Sequence, residues 1–152
     1  MHALDIIKAI VNESVLSVDL GQYLPEALQL SILGFDASDW GVRNSSQQAY
    51  ATLMKRALGL RSDGLMQHTR ALTGEAFFAR YPEVKGFVRQ QLSAGTGRTL
   101  YPVLLLMSSF RASEAQSCES CVEFQAAVKP VGRTALSYGI RHVAARALAA
   151  LV

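Results

Sequence analysis

This sequence predicts an all-α fold, and three observations predict it. Apolar residues recur at spacings of three and four along most of the 152 residues, the period of a helix with one buried stripe. No stretch of convincing length alternates apolar and polar residues as a half-buried strand does. Pro, Gly and capping residues punctuate the stripes at intervals that leave short links between helices. Antiparallel neighbours joined in this way suit either a bundle or an α-solenoid of stacked helix pairs. At roughly 40 residues per pair the chain holds between three and four pairs.

Leu4, Ile7, Val11 and Val15 mark the first helix, widened by Ile6 and Ile10 and ending near Ser17. Leu24, Ala27, Leu28, Ile32 and Phe35 mark the second, with Pro25 acceptable only in its first turn. Ser38 or Asp39 offers an N-cap oxygen to a third helix with the stripe Tyr50, Leu53, Met54, Ala57 and Leu58, and Gly59 is its expected stop. Leu60 to Leu72, with Ser62-Asp63-Gly64, reads as a surface excursion. Thr73 caps a short helix carrying Phe77 and Phe78, which Pro82 must end or break. Val84, Phe87, Val88 and Leu92 restart the helical period before the turn Ser93-Ala94-Gly95-Thr96-Gly97.

Leu100 to Phe110 is apolar on nearly all sides and is expected to be the most buried helix, with Pro102 in its first turn. Ala112 to Glu123 is small and acidic, a loop by composition. A weak helix around Phe124 to Val128 follows, and Pro130 is expected to end it. The last helix places Ile140, Val143, Ala144, Ala147, Leu148 and Leu151 on one face, with Ser137 positioned as its cap.

A hydrophobic content of 50% with only 4 Pro excludes a disordered or collagenous chain. A chain of this length buries roughly two thirds of its unfolded surface, so its core requires no metal or disulfide staple. The apolar run Val103 to Met107 is bounded by Pro102 and Ser108-Ser109, too short for a bilayer. The first residues carry Asp5 and no basic run, unlike a secretory signal. These features lead us to expect no membrane insertion and a reducing, cytosolic or nuclear compartment, of which we adopt the cytoplasmic one.

The sequence offers little to a catalyst. Gly95-Thr96-Gly97-Arg98-Thr99 approaches a phosphate-binding loop, but Leu92 stands where a P-loop requires its first Gly, and Arg98 where it requires Lys. Cys118-Glu119-Ser120-Cys121 has the spacing of half a zinc site, with only His2, His68 and His142 as further soft ligands. Two thiols in a loop is the plainer account. No Ser, His and acid set is spaced as a triad, so no catalytic residue, cofactor or metal is assigned.

Charge is distributed more tellingly than the net +3 suggests. Residues 1–39 carry one base, Lys8, against six acids, whereas residues 40–98 carry nine bases against Asp63, Glu75 and Glu83. A basic, Arg-rich middle is what a phosphate-tracking surface requires, because guanidinium forks bind phosphate bidentately. Solvated helix faces and interfaces with acidic proteins have the same composition. Asp39 and Arg43 are also spaced to pair on one helix.

Asp39-Trp40-Gly41-Val42-Arg43-Asn44-Ser45-Ser46 concentrates a large aromatic, an Arg and an Asn in the first turns of one helix. The structural reading packs Trp40 between neighbouring helices and has Arg43 and Asn44 tie loop carbonyls together, as polar ladders do in helical repeats. Ile32-Leu33-Gly34-Phe35 through Asp39 to Ser45 and on to Leu58-Gly59 resembles the central conserved domain of the THADA proteins and their fungal tRNA-methylation partners. Thr73-Gly74, Phe77-Phe78, Arg80 and Tyr81-Pro82 resemble that family's next block. Tyr101 to Leu106, then Ile140-Arg141 and Ala144 to Leu148, continue it in order.

The resemblance implies an armadillo/HEAT-like α-solenoid segment of stacked antiparallel helix pairs, residues 1–152 being one piece of a longer repeat protein. The family's Arg-Arg-Ser-Ala-Gly stretch belongs upstream and is absent from this sequence. The implied role is a non-catalytic scaffold that positions tRNA for 2′-O-ribose methylation of the anticodon loop. A partner methyltransferase binds the methyl donor and performs the chemistry. Arg43, Arg56, Arg80, Lys85, Arg89 and Arg98 are then the candidate RNA contacts, with Trp40 and Asn44 holding the surface in shape. Animal relatives, linked to a calcium pump, imply other protein partners, and a protein-binding adaptor without RNA contact is the alternative reading.

Overall fold

The computed structural model describes residues 2–12, 19–59, 72–112 and 119–152. The expected end of the first helix near Ser17, the 60–71 excursion, and Cys118 lie outside them. Eight α-helices are present among the described residues: α1 (His2–Asn12), α2 (Leu24–Leu33), α3 (Trp40–Ala57), α4 (Gly74–Arg80), α5 (Pro82–Ala94), α6 (Gly97–Ser108), α7 (Glu119–Thr134) and α8 (Tyr138–Ala150). Short 3₁₀ turns precede and follow α2. The described residues contain no strand, only an isolated bridge between Thr73 and Arg111. No helix among them is long and apolar enough to cross a membrane.

Helix boundaries follow the local signals. The Asp39 carboxylate accepts from the Val42 N–H at 2.9 Å and starts α3. Thr73 accepts from the Ala76 N–H and starts α4 in the same way. Gly59, with φ of 71°, follows the Leu58 C-cap in the left-handed region that only glycine enters cheaply. Pro82 divides α4 from α5, leaving Tyr81 as the single residue between them. Ser137 occupies the N-cap of α8, but its hydroxyl makes no capping hydrogen bond.

Two helices exceed their expected bounds. α6 begins at Gly97, capped by Thr96, so Pro102 stands in the second turn rather than the first. Its missing N–H leaves the Arg98 carbonyl without the usual donor. α7 begins at Glu119 and runs through Pro130 to Thr134, where composition predicts a loop and then a stop. A helical Pro costs about 3 kcal/mol, and here Cys121, Phe124 and Val128 bury one face of the same helix and offset it. Ile6, assigned to the buried stripe of α1, is 56% exposed.

α2 and α1 both pack on α3; α2 also meets α5 and α6. α5 packs on α6 and α7, and α8 closes on both α6 and α7. Buried Val103, Leu104, Leu106 and Met107 make α6 the helix most enclosed by its neighbours, as expected. The short α4 inserts between α5 and α7, and its Phe77 and Phe78 rings meet Tyr81, Phe110 and Phe124 edge-on or tilted at centroid distances of 4.8–5.6 Å.

Candidate nucleic-acid interface

The candidate bases fall in separate places. Arg43, in the second turn of α3, is half-buried and donates from one nitrogen, Nη1, to the carbonyls of Ala37 (2.8 Å) and Ser38 (2.6 Å). It therefore ties down the loop entering α3, as the structural reading of the motif expects. It does so in place of pairing with Asp39, whose carboxylate is committed to the helix cap. Asn44 is half-buried and its side chain makes no hydrogen bond to another described residue.

Trp40 corrects the sequence reading: it is 70% exposed rather than packed between helices. As the first residue of α3 it precedes the helix's first buried residue, Ser45.

Arg98, in the first turn of α6, is exposed and joins Arg43 along a cleft of about 520 Å³ between α3 and α6. Its further lining includes Gln47, Met54, Tyr101 and Leu105, with the buried Tyr50 beneath, and none of its lining residues is acidic. The Tyr50 hydroxyl donates to the Pro102 carbonyl at 2.7 Å, which pins α3 to α6 beneath the cleft. Burial, with a smaller effect from nearby Tyr101, pushes the Tyr50 phenol above its ordinary range, so it stays a neutral donor.

Lys85 and Arg89 lie elsewhere, on the seam between α5 and α7. The Lys85 ammonium donates to the Ser120 hydroxyl at 2.7 Å. Arg89 forks onto Glu123, with Nε–Oε1 of 2.6 Å and Nη2–Oε2 of 2.8 Å. That hydrogen bond holds the Glu123 carboxyl below and the Arg89 guanidinium above their ordinary values. These two bases are engaged within the chain. Arg56 is exposed in the last turn of α3, where positive charge complements the helix dipole. Arg80 is exposed at the end of α4, its guanidinium 5.4 Å from the Tyr81 ring centroid.

One signal escaped the sequence reading. Ala135-Leu136-Ser137-Tyr138-Gly139-Ile140-Arg141 repeats the pattern Ala37-Ser38-Asp39-Trp40-Gly41-Val42-Arg43. The repeat extends to geometry, since Arg141 Nη1 donates to the carbonyls of Ala135 (2.8 Å) and Leu136 (3.2 Å). Tyr138, like Trp40, starts its helix exposed, at 74%. Comparison of the two heptads would have exposed this pattern before any coordinates. Among the described residues no group of three or more His, Cys, Asp or Glu could hold a metal ion.

Two family models match the chain. "Trm732, C-terminal TPR repeats" covers residues 43–152, and "THADA/TRM732, DUF2428" covers residues 1–41. Their junction falls inside the continuous helix α3, and the larger share lies in the C-terminal repeats rather than the central domain. The chain is 31% identical over 168 residues to the Canis lupus familiaris tRNA (32-2′-O)-methyltransferase regulator THADA, covering 100% of this chain and 9% of that protein. Its Homo sapiens counterpart is 29% identical over 167 residues, with the same coverage of both chains. The Schizosaccharomyces pombe tRNA (32-2′-O)-methyltransferase regulator trm732 is 26% identical over 132 residues, covering 79% of this chain and 9% of that protein. The chain thus spans about a tenth of the length of these relatives. No solved structure matches it.

Proposed function

The chain belongs to the THADA/Trm732 family, and on that premise we propose that it is a non-catalytic segment of a cytoplasmic tRNA (32-2′-O)-methyltransferase regulator. In this reading its helices stack as antiparallel pairs of an α-solenoid, and its surface helps to position tRNA for 2′-O-ribose methylation by a partner methyltransferase. The stacking is supported by the contacts, in which α2, α5 and α7 follow one another in one row while α8 joins α6 in the other. The observation that carries the RNA contact is the acid-free cleft that Arg43, Arg98 and Tyr101 all line.

The test is tRNA binding by the full chain across a salt series, together with methyl transfer by the partner enzyme. Affinity that falls with salt, and that Arg80→Ala plus Arg98→Ala weakens, is the expected result. Affinity indifferent to salt and to both substitutions would count against phosphate contact.

A protein-binding role is favoured by one separate observation, the exposure of Trp40, Leu136 and Tyr138 at the starts of α3 and α8. Methyltransferase capture that survives ribonuclease and fails with Trp40→Ala or Tyr138→Ala would establish that second role. Capture that requires RNA would exclude it.

A further inference from the structure

We propose that the α3–α6 cleft is a single-nucleotide site for unpaired RNA, holding a backbone phosphate between Arg43 and Arg98 and the adjoining base against Tyr101. This assignment rests on the tRNA reading above and adds to it a place and a chemical form.

The guanidinium of Arg43 is fixed before any ligand arrives. Nη1 is committed to the Ala37 and Ser38 carbonyls, so the Nε and Nη2 hydrogens are left without an acceptor among the described residues. A preset donor spares the entropy that a free Arg loses on binding. Arg98 supplies the second positive charge from the opposite wall and is not committed to an acid there. Two positive groups lining one cleft favour an anion in it, which relieves their mutual repulsion.

The rest of the cleft selects among anions. Tyr101 is 40% exposed and lines the cleft, which puts an aromatic ring within reach of a planar partner there. Met54 and Leu105 give an apolar wall beside it, and Gln47 offers an amide that both donates and accepts. A volume of about 520 Å³ admits one nucleotide. A bare phosphate would leave the aromatic and thioether surface unused. Duplex RNA keeps its bases stacked inside and could not reach the ring, whereas a loop nucleotide can. An acidic peptide satisfies the charges but not the ring.

The probe is a fluorescein-labelled, seven-nucleotide single-stranded RNA of anticodon-loop sequence carrying one 4-thiouridine, titrated into the full chain. Arg98 and Tyr101 are exposed, so Arg98→Ala and Tyr101→Leu are chosen to spare the fold, checked by circular dichroism and melting. Each is expected to weaken the probe about tenfold. Arg98→Ala also lowers the salt slope by about one, while Tyr101→Leu leaves it unchanged. Light-induced crosslinks fall in the α6 peptide, and Lys85→Ala plus Arg89→Ala bind like the parent.

If tRNA binds but neither cleft substitution alters the probe, the cleft assignment fails and the tRNA reading stands. Equal losses from Arg98→Ala and from the Lys85 and Arg89 pair, with none from Tyr101→Leu, mean diffuse charge attraction and overturn the site. Displacement of the probe by poly-glutamate at equal concentration reassigns the cleft to carboxylates and overturns it as well. If neither tRNA nor the probe binds the parent chain, the tRNA reading falls too.

Discussion

Arg43 serves two neighbours at once, and its energetics separate from those of Arg98 in the same cleft. Its guanidinium holds two consecutive carbonyls of the loop that turns from α2 into α3, in a half-buried setting. Hydrogen bonds to a charged group are worth about 1.5–3 kcal/mol, so Arg43→Ala is expected to lower unfolding stability by about that much in a urea titration. Arg98→Ala, which breaks no hydrogen bond to the described residues, should leave the midpoint nearly unchanged. Equal midpoints for the two variants would refute the locking role of Arg43. At this scale the sequence was legible where the chemistry was local. The Asp39 and Thr73 caps and the Gly59 stop each depend on residues within a turn of one another. It was illegible where exposure depends on distant helices: nothing local says that Trp40 stands outside the packing while Tyr50, on the same helix, is sealed.

The helices themselves depend on close approaches as much as on stripes. A Cβ added to Gly34, in the 3₁₀ turn after α2, would land inside the Ser46 side chain of α3. Ser46 is fully buried, so it cannot swing out to solvent, and its hydroxyl has no hydrogen-bond partner among the described residues. Gly34→Ala is therefore expected to cost about 1–3 kcal/mol by overpacking, read as a lower melting temperature. Ser46→Gly in the same chain should recover part of that loss, and a double variant no better than the single would show that the clash lies elsewhere. Between α5 and α7 an exposed ion pair spans the seam. Arg89 holds the Glu123 carboxyl below its ordinary value of 4.5, so the folded chain binds that proton less readily than the unfolded one. The pair's contribution is then complete above pH 4.5 and declines as pH falls through the lowered folded value. Both groups are exposed, so the effect is small and salt-sensitive. Glu123→Gln is expected to flatten the acid limb of the stability profile slightly, and an unchanged limb would mean that solvent already screens the pair. The extent of α7 was hidden from the sequence for a related reason. Pro130 and the small, acidic run before Phe124 are local arguments against a helix, whereas the burial of Cys121, Phe124 and Val128 that sustains it is a tertiary one.

Across the whole molecule, the basic middle of the sequence does not fold into one basic surface. The apolar period revealed the class and most helices among the described residues, because apolar burial is the dominant favourable term in folding. Charge has no such constraint, and bases close in sequence end on different helices: Lys85 and Arg89 turn to α7, Arg43 and Arg98 share the α3–α6 cleft, and Arg56 and Arg80 end their helices in solvent. A count of bases therefore overstates the charge available to a polyanion, since Arg89 is already neutralised by Glu123 and Lys85 is already hydrogen-bonded to Ser120. The difference is measurable as a salt slope. Each phosphate left without its cation reduces the dependence of log affinity on log salt by about 0.7–0.9. Replacing Arg56, Arg80 and Arg98 together by Ala is expected to lower the tRNA salt slope of the full chain by about two to three. Replacing Lys85 and Arg89 together should change it by less than about one half on the same scale. The reverse ordering would mean that tRNA displaces Glu123 and Ser120 to reach the α5–α7 seam, and the polyanion face would then be the one on which this chain now satisfies its own charges.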